Sequence, residues 1–113
     1  MTQDTSTTPT TLLAIGDEQL EKARQASNGR ASTTVHHGAR LRQTLVALVA
    51  GTRLGEHASP GDATVLCLRG HVALSAGERE VDVPEGALLH VPPQRHDLRA
   101  LEDSLVVLTV GVG

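Results

Sequence analysis

The sequence predicts an all-β domain, a sandwich or barrel, preceded by one short helix. Three observations predict it. Beyond Arg30 the chain breaks into short Val- and Leu-rich runs at near-regular spacing, with Gly, Pro or Ser between them. The apolar content is almost wholly Leu (16), Ala (13) and Val (12), without one Phe, Tyr or Trp, so the core must be aliphatic, and valine favours strands. A length of 113 residues suits one core and not two.

Residues 1–11 (MTQDTSTTPTT) are polar and low in complexity and read as a disordered tail. Residues 12–31 read as a helix and linker. The helix is expected over 16–27, with Asp17 and Glu18 in its first turn, Lys22 and Arg24 later, and Asn28-Gly29 as its stop. Leu20, Ala23 and Ala26 give it a thin apolar stripe that needs a larger surface to pack on. The β-domain is read over 32–113, with strands at 32–37, 41–50, 63–69, 71–76, 80–83, 87–91, 96–101 and 105–112. No internal repeat is present.

Composition also excludes functions. Without aromatic rings the chain can neither stack single-stranded bases nor cage a quaternary amine. The net charge is −3 and the charges are mixed, so no polyanion-binding face is indicated and nucleic acid is not an expected partner. Lys22 is the only lysine, and no Gly-rich phosphate loop ending in Gly-Lys-Ser/Thr exists. One cysteine, Cys67, permits neither an internal disulfide nor a cysteine zinc cluster. No apolar signal core or membrane-length run is found, and a cytoplasmic protein without membrane contact is expected.

Six histidines carry the remaining chemistry. Adjacent residues on a strand point to opposite faces, so at most one of His36 and His37 looks inward. His71 and His90 read as ordinary sheet histidines. His57 and His96 stand apart, because each lies where a loop meets a strand. Sequence-distant histidines at strand ends are how β-barrels gather imidazoles around a divalent metal.

At these residues the chain resembles a small single-domain cupin. Gly51, then His57 after five residues, then Gly70 fit the frame of the first cupin motif. Gly86, Pro92 and His96 match the second when its loop is one residue shorter. Stretches such as LRQTLVAL and SPGDATVLCLRG are similar to uncharacterised cupins of high-GC bacteria. The resemblance spans about residues 33–112 and implies a double-stranded β-helix, the jelly-roll barrel, that commonly forms homodimers.

The departures matter as much as the matches. The motif's second histidine position holds Ser59, its glutamate position Ala63, and its final asparagine position Ala100. Two of four ligands remain, His57 and His96. A divalent ion (Fe, Mn, Ni or Zn) on two imidazoles and water is held weakly, since stable sites supply three or four protein ligands. Asp62 is one residue out of register and would need a bulge to face inward. If the second strand lines the barrel, Gln43 is an interior acceptor and His36 or His37 approaches beside it. Parity from Ala63 puts Val65, Cys67 and Arg69 on the ligand face, so that Cys67 lines the cavity, as a small hydrophobe rather than a nucleophile.

The expected function is a small-molecule-binding cupin domain of unassigned activity, with His57 and His96 as metal candidates and Gln43, Ser59 and Cys67 as ligand-binding candidates. One alternative is a metal-dependent oxygenase or isomerase using His57 and His96. Another is a structural or regulatory barrel module. A homodimer is expected, in which a second subunit or the helix covers the outward Leu-rich sheet face.

Overall fold

A computed structural model describes residues 7–58 and 61–112. The order of elements is α1 (Leu12–Gln25), β1 (Arg30–His37), β2 (Leu41–Leu48), β3 (Ala63–Arg69), β4 (His71–Ala76), β5 (Arg79–Pro84), β6 (Leu88–His90), β7 (Asp97–Ala100) and β8 (Ser104–Gly111). Two antiparallel sheets face each other, one ordered β1-β2-β8-β3-β6 and the other β5-β4-β7. Residues 51–57 run alongside β7 and extend the second sheet, through bridges between Arg53 and Arg99 and between His57 and His96. The architecture is a jelly-roll barrel.

Strand alternation builds the interior. From the large sheet come Val46, Leu48, Ala63, Val65, Cys67 and Val106; from the small one Val72, Leu74, Val83, Leu98 and Ala100. All are nearly or fully buried aliphatic or small side chains. On the outer face of the large sheet, Ala23 of α1 packs with Ala47 and Leu105, so the helix covers β1, β2 and part of β8.

Gly70 makes the single-residue passage from β3 in one sheet to β4 in the other. Its φ is +86°, and a Cβ there would collide with Ser104 and the Asp103 carbonyl. Only glycine combines that backbone with that close approach.

The helix begins at Leu12 rather than at Gly16 and ends at Gln25. Leu12, Leu13, Ala14 and Ile15 form its opening turn, so Asp17 and Glu18 fall beyond the first turn and the expected dipole match is lost there. Asp17 instead faces Arg69 at 3.8 Å. Asn28 and Gly29 form the turn into β1, which takes Arg30 and Ala31 from the expected linker. The expected tail falls largely outside the described residues; 7–11 have no helix or strand.

Candidate functional site

His57 and His96 meet at one end of the barrel. Their backbones exchange two hydrogen bonds, each 2.9 Å, which fixes the two residues opposite one another. The rings lie edge to face with centroids 4.5 Å apart. His96 is buried and His57 is exposed at the rim.

Each ring is locked in the same way. Nδ1 of His57 donates to the Gly55 carbonyl at 2.8 Å, and Nδ1 of His96 donates to the Gln94 carbonyl at 2.9 Å. A carbonyl oxygen only accepts, so in the neutral imidazole the proton sits on Nδ1 and Nε2 keeps its lone pair. Anchoring one nitrogen to a backbone carbonyl is how proteins orient imidazole acceptors and metal ligands.

Asp97 holds this arrangement from behind. Its Oδ1 accepts from the N–H of Gly55 at 2.9 Å and of Leu98 at 2.8 Å, and its Oδ2 accepts from Arg53 at 3.0 Å. Partial burial pushes the carboxyl up, but the Arg53 guanidinium and the two backbone N–H groups outweigh it and hold Asp97 below the ordinary aspartate range. Asp97 thereby fixes Gly55, whose carbonyl in turn fixes His57. Sequence reasoning passed over Asp97, although a carboxylate directly after a candidate histidine was the available signal.

The space before the rings is small. A cavity of about 40 Å³ is lined by Leu54, His57, Ala63, Leu74, His96 and Leu98 among others. That suits an ion or a few waters, far below the 300 Å³ or so from which pockets for drug-sized ligands begin. Leucine and valine from both sheets fill the rest of the barrel.

The other candidate residues lie elsewhere. Gln43 is not an interior acceptor: it is on the outer face of β2, where its Nε2 donates to Thr109 Oγ1 at 3.1 Å. Val46 and Leu48 take the inward parity of that strand, and Gln43 has the opposite parity. His36, paired in register with Gln43, shares that outer face, and His37 is against Arg42. Cys67 does face inward, but it is sealed in the core and does not line the histidine cavity. Burial, reinforced by Glu85, pushes its thiol up, and the thiol donates to the Arg69 carbonyl at 3.2 Å. Ser59 lies outside the described residues. Asp62 does not join the histidines, and among the described residues no cluster of three His, Cys, Asp or Glu side chains is placed to hold a metal. The donors present fill two coordination positions and do not fit a complete metal centre.

No family profile matches the sequence, and no curated protein matches it. Solved structures do. A conserved protein of unknown function from Streptococcus pyogenes is 29% identical with a TM-score of 0.70, over 78% of this chain and 78% of that one. A cupin superfamily protein from Desulfitobacterium hafniense is 18% identical with a TM-score of 0.71, over 78% and 82%. An RmlC-like cupin from Desulfovibrio desulfuricans is 20% identical with a TM-score of 0.67, over 98% of this chain and 96% of that one. Two facing antiparallel sheets with this strand order, matched by these neighbours, give the chain the jelly-roll barrel fold of the cupins.

Proposed function

We propose that this chain is a binding cupin whose ligand site is the His57–His96 pair, taking a weakly held divalent ion or a small polar group. The observation that carries this reading is the pair of imidazoles, each anchored through Nδ1 and each left with Nε2 as an acceptor, in a cavity of about 40 Å³. Two acceptors give an ion a foothold, while three or four are needed to retain it through purification. The catalytic oxygenase and isomerase readings ask for a fuller donor set and for room beside it. Among the described residues no helix is long and apolar enough to cross a membrane. A cytoplasmic location is part of this proposal.

The test is a titration of metal-stripped protein with Zn²⁺ or Mn²⁺, followed by calorimetry and by the histidine ring signals in NMR. Binding is expected to be weak, removed by dialysis, and lost in the His57→Ala/His96→Ala variant. Near-stoichiometric metal that survives dialysis in the wild type would overturn the reading in favour of a full metal centre. Binding that persists in the double variant would place the site elsewhere.

We also infer a homodimer formed through the outer face of the large sheet beyond the helix. Leu88 is 66% exposed there, and it pairs in register with Leu66 of β3.

A further inference from the structure

A second and larger cavity lies on the open side of the barrel, where the edge strands β5 and β6 face each other without pairing. It measures about 210 Å³, and Leu74 separates it from the histidine cavity. Its floor is Leu74, Val81, Leu89 and Pro92, and its polar groups include Arg79 and Gln94.

Arg79 is exposed, yet it stands on the inward row of its strand. Along the β4–β5 pair the inward row runs Val72 with Val83, Leu74 with Val81, then Ala76 with Arg79. Val72, Leu74 and Val83 are buried in the core and Val81 is half-buried against the cavity; the third pair puts the exposed Arg79 opposite the buried Ala76 in the cavity's lining. Among the described residues no carboxylate lies within ion-pair distance of Arg79. Glu80, the next residue, is on the opposite face and is held by Arg99. Gln94 is close by: its Nε2 lies against Gly77, in the turn that leads into β5, so an amide donor and a guanidinium stand at the same end of one apolar groove.

We propose that this groove binds a small aliphatic monocarboxylate, with its carboxylate on Arg79 and Gln94 and its chain over Leu74, Val81 and Leu89. A guanidinium offers a carboxylate two parallel N–H donors, and an unpaired cation beside an apolar floor selects an anion with an apolar body. No Phe, Tyr or Trp is available to stack on, and His90 is the one aromatic ring among the lining residues, which favours an aliphatic body over an aromatic one. The volume limits the chain to about four to six carbons, because larger ligands need pockets of 300 Å³ or more. This site is separate from the histidine pair and stands whether or not that pair holds an ion.

The test is an amide-shift NMR titration of the intact chain with hexanoate, and with hexanamide as the uncharged isostere. Hexanoate is expected to shift Arg79, Val81, Leu89 and Gln94 saturably, with hexanamide at least about tenfold weaker. Arg79→Gln is expected to lose about tenfold or more in affinity, and Arg79→Lys to keep part of it. Arg42→Gln, a charge removed from the other sheet, is expected to bind as the wild type does, and the double histidine variant likewise. The spectrum of each variant reports its fold independently of binding. Absence of saturable shifts, equal binding of acid and amide, an unaffected Arg79→Gln variant, or shifts centred on His57 and His96 would each overturn the proposal.

Discussion

At the scale of single residues, Asp97 organises the site more than either histidine does. One carboxylate accepts two backbone N–H groups and a guanidinium, and it is largely buried, with 15% of its side chain exposed. Replacing it by Asn removes the charge while keeping the shape, and should cost about 1–3 kcal/mol at neutral pH. The pH dependence has a definite sign. Folding lowers this pKa, so the contribution is present above the unfolded-state value of about 3.9 and is lost as pH falls through the folded value. Urea unfolding of wild type and Asp97→Asn should therefore differ most near neutrality and converge in strong acid. A gap that stays constant into acid would mean that the charge is not what stabilises. The same residue shows where sequence reading stops. A histidine can be matched to a motif position, whereas the three donors that meet on Asp97 come from residues 53, 55 and 98 and are visible only once the two segments pair.

At the scale of elements, the strands were legible because the glycines between them are structurally required. Gly70 and Gly51 both carry positive φ, and both fall on motif positions that the sequence displays. Their surroundings differ. A Cβ on Gly51 would meet nothing within 4 Å, whereas one on Gly70 would strike backbone of the β7–β8 turn. Gly51→Ala should thus cost only backbone strain, about 1 kcal/mol. Gly70→Ala adds a collision to that strain and should cost about 2–4 kcal/mol, measured by thermal or urea unfolding. Equal losses would show that the passage between sheets can relax. The second strand was harder to read. A run such as LRQTLVAL has apolar residues on both faces, because its outer side is covered by α1 and its inner side by the barrel. Periodicity cannot say which parity of such a run faces the cavity. That ambiguity placed Gln43 inside, and the register with Thr109 puts it outside.

At the scale of the whole molecule, the helix leaves part of one sheet face open, and the composition of that face bears on assembly. In register across β1, β2, β8, β3 and β6 runs a polar row, His36, Gln43, Thr109, Thr64 and His90. Beside it runs the row Thr33, Leu45, Val107, Leu66 and Leu88, apolar from β2 onward. The helix shields the β1–β2 end, while Leu88 at the β6 end stays exposed. A polar row beside an apolar one suits self-complementary packing about a two-fold axis, since each copy presents the same two rows to the other. Sedimentation of the wild type is expected to give a dimer at high micromolar concentration. Leu88→Asp is expected to give a monomer with unfolding stability changed by no more than about 0.5 kcal/mol, because an exposed side chain contributes little to the isolated fold. A wild type that sediments as a monomer, or a Leu88→Asp variant that still dimerises, would place the subunit contact elsewhere or remove it. The composition that ruled out ring stacking acts here too: with no aromatic anchor available, such an interface must rest on leucine, valine and the register of its polar row.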